Sequence, residues 1–150
     1  MKNVYLVEVV YYDAFDSLEN ENVEDRYIIG YFSVAAKAEQ AIKECVKHGI
    51  PKNTLCVKEF EFPSAPNQKY VYVLNYEYSR LTDNGYEDYY YYFAPQSNKA
   101  KCLEQKKQLL LCPKYQPTAE TIFTTTKDGF FVDKIKIDFL SHVDYRELNE

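Results

Sequence analysis

The chain has no tryptophan, one methionine, two histidines and only four glycines in 150 residues. Each shortage narrows the chemistry on offer. Neither His48 nor His142 has a His, Cys or Asp nearby at ligand spacing, so no zinc site is expected. His48 stands at the end of a helical stretch, where the helix dipole favours a cation, and this accounts for it without a catalytic role. Four glycines are too few for a phosphate-cradling loop. Cys45, Cys56, Cys102 and Cys112 show neither close pairing nor metal-ligand spacing, so they read as reduced thiols. Nothing local supports a Cys–His nucleophile pair. No apolar run is long enough for a membrane helix, and Met1-Lys2-Asn3-Val4 leads straight into an alternating stretch without signal-peptide features, so a cytoplasmic location away from any membrane is expected. Positive charge is also short: 18 basic against 23 acidic residues leave a net −5. That argues against a general nucleic-acid binder, which needs Lys and Arg to neutralise phosphates. No catalytic residue, metal ligand or cofactor is assigned.

What the chain does have is 16 tyrosines and nine phenylalanines. They are concentrated in stretches that alternate. In Val4–Tyr12, Tyr5, Val7, Val9 and Tyr11 share one side, with Val4, Leu6, Glu8, Val10 and Tyr12 on the other. Val71–Tyr78 repeats the pattern, with Tyr72, Leu74, Tyr76 and Tyr78 on the apolar side and Asn75 in the place of Glu8. Successive strand residues point to opposite faces, so each stretch predicts a strand with one wholly apolar face.

The first half continues with Asp13–Asp25, which carries six acids and no base and reads as a loop. A strand is expected over 26–32, then a helix over about 34–47 with Ser33 as its N-cap. Val34, Ala38, Ala41, Ile42, Cys45 and Val46 form the apolar stripe of that helix. Gly49 ends it, and Leu55–Phe62 is a third strand. The second half predicts a strand from Tyr70, a turn at Thr82-Asp83-Asn84-Gly85, and a returning strand over 86–93. A helix follows, with Pro95 in its first turn, then strands at 121–126 and 130–139. Phe131, Ile135, Ile137 and Phe139 share one face of the last.

These segments carry a resemblance. Val4-Tyr5-Leu6-Val7, Gly30-Tyr31-Phe32-Ser33, Lys37-Ala38 and Ala41-Ile42 resemble small single-unit bacterial modules of unknown function. Val71-Tyr72-Val73-Leu74, Lys99-Ala100 and Asp128-Gly129-Phe130-Phe131-Val132 carry the same pattern in the second half. There, Ala94-Pro95 stands where the pattern has Ser. The resemblance implies a fold and a bacterial or phage origin, and no activity. The expected fold is α+β: two ββαβ-type repeats, each an antiparallel sheet with one helix on a face, packed as a pseudo-dimer in a single domain. The repeats cover about 1–63 and 69–140, with a linker at 64–68 and a tail at 141–150.

In Tyr89-Tyr90-Tyr91-Tyr92 the side chains must alternate, so Tyr89, Tyr91 and Phe93 line one face and Tyr86, Tyr90 and Tyr92 the other. Tyrosine suits binding surfaces because it is large, stiff and polar at its tip. The expected function is non-enzymatic: a protein-interaction or regulatory module that meets a basic partner. Its candidate contact residues are Tyr12, Asp16, Glu19, Glu21, Glu24, Tyr27, Tyr90 and Tyr92. The alternatives are a toxin-immunity or phage counter-defence inhibitor of a basic surface, and a carrier or enzyme using a groove between the repeats.

Overall fold

The computed structural model describes residues 2–16, 21–62 and 68–140, with the backbone alone at 2, 12–16, 21–24 and 62. The fold is α+β: among the described residues there are two α-helices and two antiparallel sheets, of three and four strands. The chain divides into two compact units. One holds the described residues up to 62 together with 136–140; the other holds 68–135.

In the first unit, β1 (Lys2–Asp16) lies between β2 (Glu21–Phe32) and β3 (Leu55–Phe62). The stretch expected as an acidic loop is mostly paired backbone. After a register shift beyond Tyr11, Ala14 pairs with Val23 and Asp16 with Glu21. Its composition suggested a loop because Asp, Asn and Glu have low strand propensity. Pairing nonetheless propagates along two chains already in register, because it satisfies backbone N–H and C=O groups whatever the side chains are.

The helix α1 (Ala35–Lys47) packs on the face of β1 that carries Val7 and Val9. Ala38, Ala41 and Cys45 are its buried positions, meeting Ile29, Phe32 and Ile50. Small residues let the helix approach the sheet closely, which is why the stripe narrows: Ile42 is half-buried, and Val34 and Val46 are exposed. Ser33 is not the N-cap. Val34 holds that position, and the Ser33 hydroxyl donates instead to Asp138 Oδ2 at 2.7 Å. At the other end His48 caps the helix with Nε2 3.0 Å from Glu44 Oε1, and Gly49 takes φ +97°.

Asp138 belongs to a segment that returns to the first unit after the second is complete. Its backbone N–H donates to Tyr31 O at 2.8 Å, and its carboxylate accepts from the Ser33 N–H at 2.8 Å and from Lys37 Nζ at 3.0 Å. It has φ +63°, a conformation that Asp tolerates better than most residues. Burial pushes the Asp138 carboxyl up, but the Ser33 and Lys37 hydrogen bonds outweigh that and hold it below the usual carboxylate value. A depressed folded-state value means stability that is present above the ordinary pKa and lost as pH falls through the folded one. Asp138→Ala is therefore expected to melt below the parent at neutral pH, by on the order of 1 kcal/mol as for other lost helix-end acceptors. The gap should narrow as the pH falls below 3.8, leaving only the strain of Ala at φ +63°. Thermal melts across that range check it; a gap that does not change with pH would assign the whole loss to packing and strain.

In the second unit, β4 (Tyr70–Thr82) is central. It pairs with β5 (Gly85–Tyr92) on one side, and with β6 (Thr121–Ile122) and β7 (Phe130–Lys136) besides. The helix α2 spans Lys99–Leu109. It starts later than expected, and Pro95 is outside it. Tyr72 and Gln96 exchange two backbone hydrogen bonds, 2.9 and 2.7 Å, which keep that part of the chain extended. Asn98 then caps α2 by accepting from the Lys101 N–H at 2.9 Å.

The core here is aromatic. Tyr76 lies 4.6 Å from Phe130 and 5.2 Å from Tyr115, ring to ring, over the buried Cys102 of α2. Phe130 and Val132 belong to this core and Phe131 and Ile135 do not, so the phase expected for the last strand is shifted by one residue; the strand also ends at Lys136, short of the expected 139. The expected strand at 121–126 shrinks to two residues. No disulfide joins any of Cys45, Cys56, Cys102 and Cys112.

Candidate functional site

The turn at Asp83-Asn84 sets the site. It pairs Thr82 with Gly85, which takes φ +102°, and the register then runs unbroken to Asn75 and Tyr92. Alternation sends Tyr76, Tyr78 and Tyr91 toward α2. The opposite face carries the pairs Asn75/Tyr92, Glu77/Tyr90, Ser79/Asp88 and Leu81/Tyr86. β6 adds Ile122 beside Ser79, and β7 adds Asp133.

One end of this face is closed and the other is open. Val71, Val73 and Asn75 have no exposure. Toward the turn the face opens: Tyr90 is 46% exposed, Leu81 49%, Tyr86 64% and Ile122 38%. Glu77, Asp88 and Asp133 lie among these apolar groups. Among the described residues of the four strands, no Lys or Arg points to this face.

Asn75 organises the closed end. Its Nδ2 donates to Asp133 Oδ2 at 3.1 Å and to Val73 O at 3.0 Å, and its Oδ1 accepts from the Tyr90 hydroxyl. Tyr90 is therefore held by its tip while its ring stays open, 6.2 Å from the Tyr92 ring. Burial, with Asp133 and Glu77 nearby, pushes the Tyr90 hydroxyl up to about 12, so it remains a donor. Burial also raises the Asp133 carboxyl, and the Asn75 hydrogen bond offsets part of that. Ser79 Oγ donates to Asp88 Oδ1 at 2.5 Å, which fixes that carboxylate.

The matching position of β1 is Glu8, also fully buried. Lys58 Nζ of β3 reaches it at 3.2 Å and Arg26 of β2 at 3.4 Å. A buried carboxylate needs such partners, so this ion triad reads as part of the sheet. Beside α1 there is a groove of about 360 Å³ lined by Phe32, Lys37, Glu44 and Leu140 among others. Its carboxylates are already engaged, Asp138 by Ser33 and Lys37 and Glu44 by His48.

Of the residues expected at a binding surface, Tyr27 is an exposed residue of the first unit, its ring 6.2 Å from Tyr11. Tyr90 and Tyr92 form a pair in the second, Tyr92 half-buried. Glu19 and the side chains of Tyr12, Asp16, Glu21 and Glu24 lie outside the described residues. Leu81, Glu77, Asp88, Ile122 and Asp133 were not anticipated. The two-residue turn was the signal that could have found Leu81, since it dictates the partner of Tyr86.

Comparison with protein-family models, curated proteins and solved structures finds no match for this chain. What stands is the class: an α+β protein of two sheets, each with one helix. Among the described residues no helix is long and apolar enough to cross a membrane, a statement about helices alone.

Proposed function

We propose that the chain is a non-enzymatic protein-binding module, and that the open face of the β4–β5 hairpin receives a basic segment of another protein. The observation that supports this is the patch itself: Tyr86, Tyr90, Leu81 and Ile122 exposed together, interleaved with Glu77, Asp88 and Asp133, with no Lys or Arg on that face among the described strand residues. Tyrosines of this kind supply buried area at low entropic cost, and Tyr90 is already immobilised by Asn75. The carboxylates supply a negative field that steers a basic partner and selects against an acidic one. On the same reading the two halves are copies of one ββαβ unit. Glu8 and Asn75, each the fifth residue of its alternating stretch and each fully buried, support that.

Binding kinetics of a lysine-containing model peptide on the full chain test the reading. Tyr90→Ala is expected to speed dissociation by roughly tenfold or more, as loss of a central aromatic anchor does. Asp88→Asn combined with Glu77→Gln should mainly slow association, and its effect should fade as salt rises. Binding that neither variant alters would sink the assignment of this face.

A further inference from the structure

β5 is the outer strand of its sheet, and alternate backbone groups of it point away from β4. The hydrogen bond from Phe93 N to Leu74 O, 3.0 Å, sets the phase of the ladder. Residues directly opposite each other alternate between pairs that exchange backbone bonds and pairs that do not. The exchanging pairs are thus Tyr76/Tyr91, Tyr78/Tyr89 and Arg80/Glu87. Tyr86, Asp88 and Tyr90 fall in the other set, so their N–H and C=O groups point away from β4. Among the described residues those groups have no partner.

Natural proteins usually blunt such an edge with Lys, Pro or a bulge. Gly85–Tyr92 has none of these: it reads GYEDYYYY, and its register with β4 is unbroken. It does carry Glu87 and Asp88 near its middle. A second copy pairing antiparallel about Asp88 would set that acid against its own equivalent, and like charges across a strand pair destabilise it. A basic strand meets no such penalty.

We infer that β5 is an acceptor edge, which an extended basic segment of a partner protein joins as an added strand. Main-chain bonds to Tyr86, Asp88 and Tyr90 supply the hold, and alternate side chains supply the selection. On the open face the added strand places a Lys or Arg beside Asp88, with apolar residues beside Tyr86 and Tyr90. This rests on the reading of the open face as a basic-segment site, and adds the mode of binding and the pattern of the segment.

The probe is a nine-residue peptide, Lys-Thr-Val-Thr-Lys-Thr-Val-Thr-Lys, whose Lys and Val side chains share one side when extended. It is compared with two versions N-methylated on alternate sets of backbone nitrogens. An added strand uses only one set, so one methylated peptide should lose about tenfold or more in affinity and the other should stay within about threefold. On binding of the parent peptide, amide exchange at Tyr86, Asp88 and Tyr90 should slow by roughly tenfold in the full chain, while Glu87, Tyr89 and Tyr91, already bonded to β4, change little. Equal behaviour of the two methylated peptides, whether both bind or both fail, overturns strand addition and leaves face binding standing. No binding of the parent peptide at low salt overturns the basic-segment reading as well. A self-associated form of the chain that protects the same three amides assigns the edge to a second copy and overturns the inference.

Discussion

Cys45→Asp is expected to unfold the first unit at ambient temperature or bring it close to that point. Cys45 has no exposure and packs with Ala38, Ala41, Val9 and Ile29 between α1 and the sheet. A carboxylate there has no cation in that apolar cluster, and it sits in the last turn of α1, where the helix dipole already disfavours negative charge. The cost should be on the order of 4 kcal/mol, comparable with the whole stability of many small domains. Lys43→Asp on the exposed side of the same helix should change little, and Ile42→Asp, half-buried, should fall between. Thermal or urea melts of the three variants give the order. Equal midpoints for Cys45→Asp and Lys43→Asp would mean the buried side of α1 is wrongly assigned.

Gly30→Ala should be the next most damaging change. A Cβ at Gly30 would stand 2.8 Å from the Phe139 carbonyl oxygen and 3.0 Å from the Phe32 ring. The oxygen is backbone, so the returning segment must lift, and Asp138 is its neighbour. The expected loss is about 2 to 3 kcal/mol. It should not add to that of Asp138→Ala, because either change frees the same segment; the double variant should melt close to Gly30→Ala alone. Full additivity would show that the segment is not one unit. Gly85→Ala provides the contrast: with φ +102° and open space around it, only backbone strain of about 1 kcal/mol is expected.

Much of this fold was legible in the residues. Leu55–Phe62 is a strand with the bounds its pattern predicts, and α1 ends at Lys47 before the capping His48 and Gly49. The division of Tyr89–Phe93 between two faces followed from alternation alone, and the rings obey it: Tyr89 stacks on Tyr78 at 4.8 Å while Tyr90 pairs with Tyr92. The misjudged features share a cause. Ser33 as a cap, Pro95 as a helix start and 13–25 as a loop were each inferred from local propensity. Each was decided by a partner elsewhere in the chain: the Asp138 carboxylate for Ser33, the Tyr72 backbone for Gln96, and β1 for β2.

The candidate site divides in the same way. Tyrosine and acid were visible as types, and the exposed face of β5 could be drawn from the turn. That Asn75 would pin Tyr90, or that Asp133 would arrive beside Asn75 from 58 residues away, was not. By itself the sequence determined the periods: which residues alternate, where α1 runs, where the hairpin turns. Those depend on neighbours a few residues apart, and composition records them directly. The tertiary structure decided which polar atoms are enclosed, which tyrosines stay open, and that Asp138 closes on Ser33 across 105 residues. Such contacts depend on where distant segments meet, and no local pattern carries that distance.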